Sequence, residues 1–393
     1  MKTSAQVKII EYHDGLAKGV AKMWNESRDD WGGDSAVMSE QDVIEKEANS
    51  ANLHLFLAMV EDEVVGYCGL SEYKEDEGSL YIPLLNVHPA YQGLKIGKQL
   101  VLRAIEKTVE LNWPRLDLFT WAGNTKAVPL YKKCGFFWEE RDDVTHLMNF
   151  IPMVLQVEWL RPFFEKHDWY TTNQRSIEVK PDGIKENGHT YYEYKWEAGN
   201  EFVRIQVERT GRGFRLIETH DLLVEMKLPT FKLLEKEEHL VTYRIVNKTD
   251  QPLAGSISGK STTIVNHSFE EMLDIRDEWI GEVPLKLTMP QCEPSPWKTH
   301  PVVEANLEMN GTVFPLKMGV FPQRAGKLHL RSMKKNWIPQ QKGTVYLDLE
   351  SQLEEDTTWT FHLPENEVVK WELSEVETTL QGKERVSIPL PCE

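Results

Sequence analysis

Two short stretches of the chain, one glycine-containing turn and one capped helix with a tyrosine, combine groups suited to binding an anion and moving a proton. The first, residues 86–100, reads Asn-Val-His-Pro-Ala-Tyr-Gln-Gly-Leu-Lys-Ile-Gly-Lys-Gln-Leu and follows an apolar run at 79–87. A strand that ends in a turn and opens straight into a helix exposes consecutive unpaired backbone N–H groups beside the positive end of the helix dipole, which together can hold a diphosphate. The dipole contributes ~0.3–1 kcal/mol, and each N–H bond to a charged oxygen is of similar or greater size. Gly93 and Gly97 keep side chains out of the way of such a ligand. The second stretch, residues 124–136, reads Asn-Thr-Lys-Ala-Val-Pro-Leu-Tyr-Lys-Lys-Cys-Gly-Phe. Asn124 can cap a short helix, Ala127 and Leu130-Tyr131 lie about one turn apart, and Gly135 is placed to end the helix in a left-handed conformation. Pro129 is tolerated because early helical positions lack an intrahelical N–H partner.

Residues 86–100 resemble motif A of the GNAT superfamily of N-acetyltransferases, with Gln92 opening its Arg/Gln-x-x-Gly-x-Gly/Ala loop. Residues 124–136 resemble motif B of the same superfamily, at the expected distance downstream. The resemblance covers the first 151 residues and implies an α+β domain, a mixed central sheet flanked by helices, that takes acetyl-CoA as cosubstrate without a metal. It implies acetyl transfer to a primary amine, on a small molecule or a peptide, by direct attack in a ternary complex. The implied coenzyme site comprises Gln92, Gly93, Leu94, Lys95, Ile96, Gly97 and Lys98, together with Asn124 and Tyr131 and the backbone of Leu85, Asn86 and Val87. The oxyanion contact falls on the backbone around Leu85 and Asn86.

Tyr131 is implied to lie beside the coenzyme sulfur as the acid for the departing thiolate. A phenol of pKa about 10 can donate to a sulfur anion whose conjugate acid is near 8.5; packing under the cofactor is the alternative role. Lys95 stands where the loop usually has its first glycine. It either adopts helical geometry or costs about 1–2 kcal/mol in the left-handed region, with its charge near the diphosphate. Tyr81 shares strand parity with Leu85 and Val87 and ranks first as general base, ahead of Glu72 and Glu77, which read as solvated loop carboxylates.

The elements that must position these groups follow from periodicity. Residues 7–14 alternate as a strand, 15–27 carry Leu16, Val20 and Met23 at helical spacing, and a polar loop with Gly32 and Gly33 leads to a capped helix start at Ser39. Strands are expected at 53–60, 64–70 and 79–87, a helix at 95–111, a strand at 115–121, a short helix at 125–133 and a strand from Phe136. Residues 152–172 read as a connecting helix, with Val154, Val157, Leu160 and Phe164 at three-to-four spacing. From 173 to 393 short β-patterned runs alternate with turn clusters such as Asn187-Gly188 and Asn310-Gly311, which suggests an all-β, sandwich-like region in two parts, about 173–260 and 261–393. The stretch Tyr191-Tyr192-Glu193-Tyr194-Lys195-Trp196 reads as a strand with one packed side, with a carbohydrate-stacking face as the alternative.

Composition narrows the function classes. The 393 residues are 40% hydrophobic and 27% charged, and no apolar run is long enough for a membrane helix. A net charge of −17 argues against a nucleic-acid partner, and the N-terminus lacks a secretory core, so a cytoplasmic location is expected. Cys68, Cys134, Cys292 and Cys392 lack metal or redox spacing and read as free thiols. His189 with Glu193, and His267 with Glu270 and Glu271, lack a third metal ligand. Two other readings stand beside the transferase: a non-catalytic acyl-CoA sensor, and an enzyme whose C-terminal region pairs subunits or binds a glycan or protein partner.

Overall fold

The computed structural model describes the chain apart from residues 1–5, 32–35, 142–144, 293, 296–297, 333–340, 354 and 366–368. The loop at Gly32 and Gly33 lies outside the described residues. The N-terminal part is built in the order β1 (Val7–Glu11), α1 (Ala17–Trp31), α2 (Glu40–Ala48), β2 (Asn52–Val60), β3 (Glu63–Glu72), β4 (Ser79–Ile82), β5 (Leu85–Val87), α3 (Ile96–Glu110), β6 (Arg115–Thr120), α4 (Ala127–Lys133), β7 (Phe136–Glu139) and β8 (Thr145–Asn149). The strands form one mixed sheet in the order β1-β2-β3-β4-β6-β8-β7, with β5 paired to β3 alone.

Helices cover the two faces of this sheet differently. Val20, Met23 and Trp24 of α1 and Val43 of α2 pack with Leu55, Leu57 and Tyr67 on one face. Ile96, Leu100, Ala104 and Ile105 of α3 pack with Cys68, Leu80, Leu116 and Leu118 on the other. Ser39 caps α2 as its sequence predicts, accepting from the Asp42 N–H while the Asp42 carboxylate accepts from the Ser39 N–H.

Two expected elements are interrupted. The run 79–87 is two strands, because a proline at 83 cannot donate to a ladder and the pairing steps there. Residues 152–172 hold several short helical pieces, α5 (Ile151–Leu155), a 3-10 turn (Glu158–Leu160), α6 (Arg161–Lys166) and α7 (Trp169–Thr172). Pro152 and Pro162 each sit at the start of a piece and Val157 is extended, so the apolar spacing is real but the helix is not continuous.

The remainder is β-rich. An eight-stranded antiparallel sheet runs in the order β17 (Val265–Asn266), β19 (Glu278–Leu287), β15 (Glu238–Asn247), β13 (Leu222–Lys227), β12 (Gly213–Thr219), β11 (Glu201–Glu208), β10 (His189–Ala198), β9 (Ile184–Glu186). A four-stranded sheet, β18 (Phe269–Ile275), β16 (Leu253–Lys260), β20 (Val302–Met309), β21 (Thr312–Gly319), meets it where β21 touches β11, β12 and β13. Strand pairing runs straight through residue 260, since β16 (Leu253–Lys260) pairs with β18 (Phe269–Ile275) and β15 (Glu238–Asn247) with β19. Membership changes instead after β22 (Phe321–Gln323), beyond which β23 (Gly326–Ser332) to β27 (Arg385–Cys392) pair only among themselves.

The two parts share one continuous apolar core. The face of β6, β8 and β7 that α1 and α2 leave open is covered by β10 (His189–Ala198) and the β11–β12 turn. Phe137 stacks on Tyr192 with centroids 4.9 Å apart, and Tyr194 donates to the Gly135 carbonyl at 2.6 Å while accepting the Phe150 N–H at 3.0 Å. Tyr192, Tyr194 and Trp196 are buried on one side, as expected, while Glu193, Lys195 and Glu197 alternate with them and stay at least partly exposed; Tyr191 is buried as well, so no ring is left open as a stacking face for sugars. A chain of buried charges crosses the same junction. His146 sits between Asp117 (3.0 Å) and Glu139 (2.8 Å), Arg115 between Asp117 (2.9 Å) and Asp76 (3.0 Å), and Arg212 pairs with Asp76 as Arg209 does with Glu139 (2.7 Å).

Candidate active site

The site begins with a mismatch in pairing. Tyr81 lies opposite Ser71 and Leu85 lies opposite Cys68, so four residues of advance on one strand match three on the other. One extra residue at the Ile82-Pro83-Leu84 step makes a β-bulge and swings the chain away from its neighbour. β4 pairs in parallel with β6 from Ser79–Arg115 to Ile82–Leu118, but β5 pairs only with β3, and the end of β6 pairs only with β8. A gap therefore opens in the sheet between β5 on one side and Phe119-Thr120 on the other.

Hydrogen bonds decide which groups face that gap. The His88 N–H donates to the Val65 carbonyl at 2.9 Å and the Leu84 carbonyl accepts from the Gly69 N–H at 3.0 Å. In an antiparallel ladder alternate residues turn their backbone groups to the opposite edge, so Leu85 and Val87 present N–H and C=O to the gap while Asn86 turns its own toward β3. This corrects the expectation for Asn86, whose backbone does not border the gap. It also corrects the parity of Tyr81: the bulge puts Tyr81 on the face covered by α1 and α2, whereas Leu85 and Val87 lie in the α3-side core.

Below the gap, β5 leads through His88, fixed by Glu26 at 2.8 Å, into a 3-10 turn and then α3. Gln92, Gly93, Leu94 and Lys95 are exposed, and Gly93 has φ +84, which suits glycine. The Lys95 carbonyl accepts from the Gln99 N–H, so α3 starts here and the N–H groups of residues 96–98 have no intrahelical acceptor. Ile96 is buried in the core, so only its backbone can meet a ligand. Lys98 lies with its ammonium 4.4 Å from the centre of the Tyr170 ring.

Lys95 takes the left-handed option, with φ 63 and ψ 18. Relief of that strain, about 1–2 kcal/mol, less the ~0.5–1 kcal/mol entropy cost of glycine, makes Lys95→Gly more stable by roughly 0.5–1 kcal/mol. A urea-unfolding midpoint at or below that of the wild type would show that the side chain carries a compensating interaction.

Across the gap, Asn124 caps α4, its Oδ1 accepting from the Ala127 N–H at 3.1 Å while its Nδ2 donates to Thr120 at 3.0 Å. Its carboxamide is thereby used within the protein. Gly135 ends α4 with φ +99, as its type predicts, where a Cβ would come within 2.6 Å of Ile151. Tyr131 is 8% exposed, and no hydrogen bond engages its hydroxyl among the described residues. Burial raises its pKa, with smaller contributions from the Cys68 and Cys134 thiols. Tyr131 belongs to the same apolar cluster as Cys68, which pairs with Leu85. Leu130 contacts the position over Gly97, closing α4 against the start of α3.

On the α1 side of the gap, Tyr81, Tyr73 and Phe119 form an aromatic cluster with centroids 5.5–5.6 Å apart, and His146 stacks behind Phe119 at 4.6 Å. Burial raises the Tyr81 pKa, so the phenol stays neutral and is a poor proton acceptor. Glu72 and Glu77 are exposed. Sequence reasoning missed Glu47, on α2. Its carboxylate accepts from Tyr67 at 2.8 Å and from Asn52 at 3.1 Å, and Asn52 in turn accepts from Ser71 at 3.1 Å. A Cβ on Gly69 would meet Asn52 Oδ1 at 2.6 Å and Pro83 at 3.2 Å, so this cluster borders the bulge. No spacing in the sequence joins Glu47 to Tyr67, which lies on another element. The other histidines singled out are internal: His189 faces Glu208 at 3.4 Å, and His267 bonds Tyr243 at 2.7 Å.

Residues 20–136 match the acetyltransferase (GNAT) family. Solved structures that resemble the chain include the PaiA N-acetyltransferase of Thermoplasma acidophilum in complex with coenzyme A, 17% identical, with a TM-score of 0.31, covering 37% of this chain and 99% of that one. A GNAT-family acetyltransferase of Staphylococcus aureus is 21% identical, with a TM-score of 0.31, covering 37% and 98% respectively. Another from Streptococcus pneumoniae is 20% identical, with a TM-score of 0.31, covering 37% and 99%. The N-terminal part is a GNAT acetyltransferase domain, and the β-rich region lies beyond the family match.

Proposed function

We propose that this protein transfers an acetyl group from acetyl-CoA to a primary amine, small or peptidic, by direct attack within a ternary complex. One observation carries the reading: the sheet opens between β5 and β6, where the Leu85 and Val87 backbones have no strand partner on that side, next to the unpaired N–H groups at the start of α3. A diphosphate fits the free N–H groups of residues 96–98, which leaves the pantetheine chain to run along β5 as an extra strand. The Leu85 N–H then donates to the thioester oxygen as negative charge develops there.

The amine nitrogen attacks the carbonyl carbon, forming the C–N bond as the C–S bond breaks. The proton shed by the nitrogen passes through water to Glu47 and on to solvent, and the sulfur takes its proton from Tyr131, whose phenolate is reprotonated from solvent before the next turnover. Glu47 replaces Tyr81 in the proton-accepting role, because a carboxylate is ionised at neutral pH and a buried phenol is not. Tyr81 lines the acceptor side. The division of the chain follows the same reading: residues 1–151 carry the chemistry, 152–172 connect, and 173–393 form the β-rich region, whose β10 and β11–β12 turn cover the open sheet face, with the break inside that region near 324 rather than 260. Among the described residues no helix is long and apolar enough to cross a membrane.

Free-thiol release from acetyl-CoA over a panel of amines tests the activity; no release with any amine, despite coenzyme binding, would favour the acyl-CoA sensor. Within that assay, Tyr131→Phe should lower kcat by about 10²-fold with the KM for acetyl-CoA unchanged. Glu47→Gln should lower kcat with the KM for acetyl-CoA unchanged. Unaltered kcat in the first variant removes Tyr131 as the acid, and unaltered kcat in the second removes Glu47 as the proton acceptor.

A further inference from the structure

Asn86 is 6% exposed, and its Nδ2 is buried with no hydrogen-bond partner among the described residues. A buried amide donor left unpaired costs stability, and such groups persist where a ligand completes them. Asn86 lies opposite Tyr67, so its side chain is on the α1 face, beside Leu84 at the bulge and at the edge of the gap. Leu84 and Tyr67 around it are apolar or already bonded, Tyr67 to Glu47 at 2.8 Å, so no neighbour on its own sheet supplies an acceptor.

We infer that the Asn86 carboxamide positions the acceptor, and that the acceptor is a primary amine bearing an oxygen three bonds from its nitrogen: an α-amino amide, a peptide N-terminus or an amino alcohol. This rests on the acetyl-transfer reading above. Nδ2 can only donate, so its partner must present a lone pair, which a plain alkyl amine lacks once its nitrogen is committed to attack. The coenzyme is not that partner. Its thioester lies in the plane of the sheet, against the backbone edges of Leu85 and Val87, and its diphosphate lies at the α3 N-terminus. Asn86 projects out of that plane to the opposite face, where the aromatic cluster and Glu47 stand. The carboxamide oxygen can meanwhile accept an N–H of the attacking amine, turning its lone pair toward the gap.

Glycinamide and n-propylamine make the test, through thiol-release kcat/KM in the wild type, Asn86→Leu and Asn86→Ala. Taking the ratio of the two amines within each protein, and then comparing proteins, cancels their intrinsic reactivity. The wild-type ratio should exceed that of either variant about tenfold, with the KM for acetyl-CoA unchanged. Asn86→Leu, close in volume and without the orphan donor, should melt at or above the wild-type temperature. An unchanged ratio overturns the inference. So does a rise in the acetyl-CoA KM with equal loss on both amines, which would assign the carboxamide to the thioester. A lower melting temperature for Asn86→Leu overturns it as well, because the amide would then be satisfied inside the protein. If the wild type releases no thiol with any amine, it is the transfer reading that fails. Calorimetry of glycinamide binding to the coenzyme-A-loaded wild type and Asn86→Leu then decides the role of Asn86, equal affinity counting against it.

Discussion

A Gly97→Trp protein should fold as the wild type does and bind neither coenzyme A nor acetyl-CoA at millimolar concentration. A Cβ at this position stands 3.4 Å from Leu130 and 3.6 Å from Val87, which is ordinary contact, and its backbone is helical rather than left-handed. Alanine is therefore tolerated, and a helix interior favours it over glycine by about 1 kcal/mol. An indole has nowhere to go but between α3, α4 and β5, where the coenzyme chain must pass. Overpacking there costs about 1–3 kcal/mol, which leaves the fold intact, while the diphosphate is lifted off the N–H groups of residues 96–98. Titration calorimetry and far-ultraviolet circular dichroism on Gly97→Ala and Gly97→Trp separate the two effects. Coenzyme heats from the tryptophan variant equal to those of the wild type would show that the diphosphate binds elsewhere.

The loop was legible because its chemistry is local: glycines, a strand end and a helix start follow one another within a dozen residues, and the same holds for the Asn124 cap and the Gly135 terminator. What was not legible depends on partners distant in the chain. The bulge at Pro83 exists only relative to β3, and one extra residue reverses the face of Tyr81 with respect to Leu85, so a parity argument fails although every strand in it is real. Asn86 shows the same limit, since only the pairing with β3 reveals that its backbone turns away from the gap. Glu47 reaches Tyr67 and Asn52 from a separate helix, and neither its type nor its spacing marks it. In the β-rich region, alternation announces strands such as β19, whose buried and exposed residues alternate almost perfectly, yet it carries no order. The Tyr191–Trp196 stretch was legible as a strand with one packed side, because Tyr192, Tyr194 and Trp196 alternate with the polar Glu193, Lys195 and Glu197; that the packed side meets β7 of the N-terminal sheet was not, since it depends on a partner distant in the chain.

Replacing Glu139 by glutamine should destabilise the whole chain by about 3–5 kcal/mol at pH 7, because it leaves His146, Arg141 and Arg209 without the carboxylate they share in a buried junction. Burial alone would raise the Glu139 pKa, but the bond from His146 and the charges of Arg209 and Arg141 outweigh it and hold the carboxyl at about 2. A folded pKa below the unfolded one means stability present in full above about pH 4.5 and lost as the pH falls toward 2, roughly 3 kcal/mol for this group. Asp117 titrates in the same direction, burial again being overcome by Arg115 and His146. The difference between wild type and Glu139→Gln should accordingly narrow by about 2 kcal/mol between pH 7 and pH 3 in denaturant titrations. Because Glu139 belongs to the acetyltransferase sheet and Arg209 to the β-rich region, the loss should appear as one cooperative transition shifted for both parts. If instead the fluorescence of the C-terminal tryptophans keeps its wild-type midpoint while the N-terminal sheet melts early, the two parts fold independently and the charge chain does not join them.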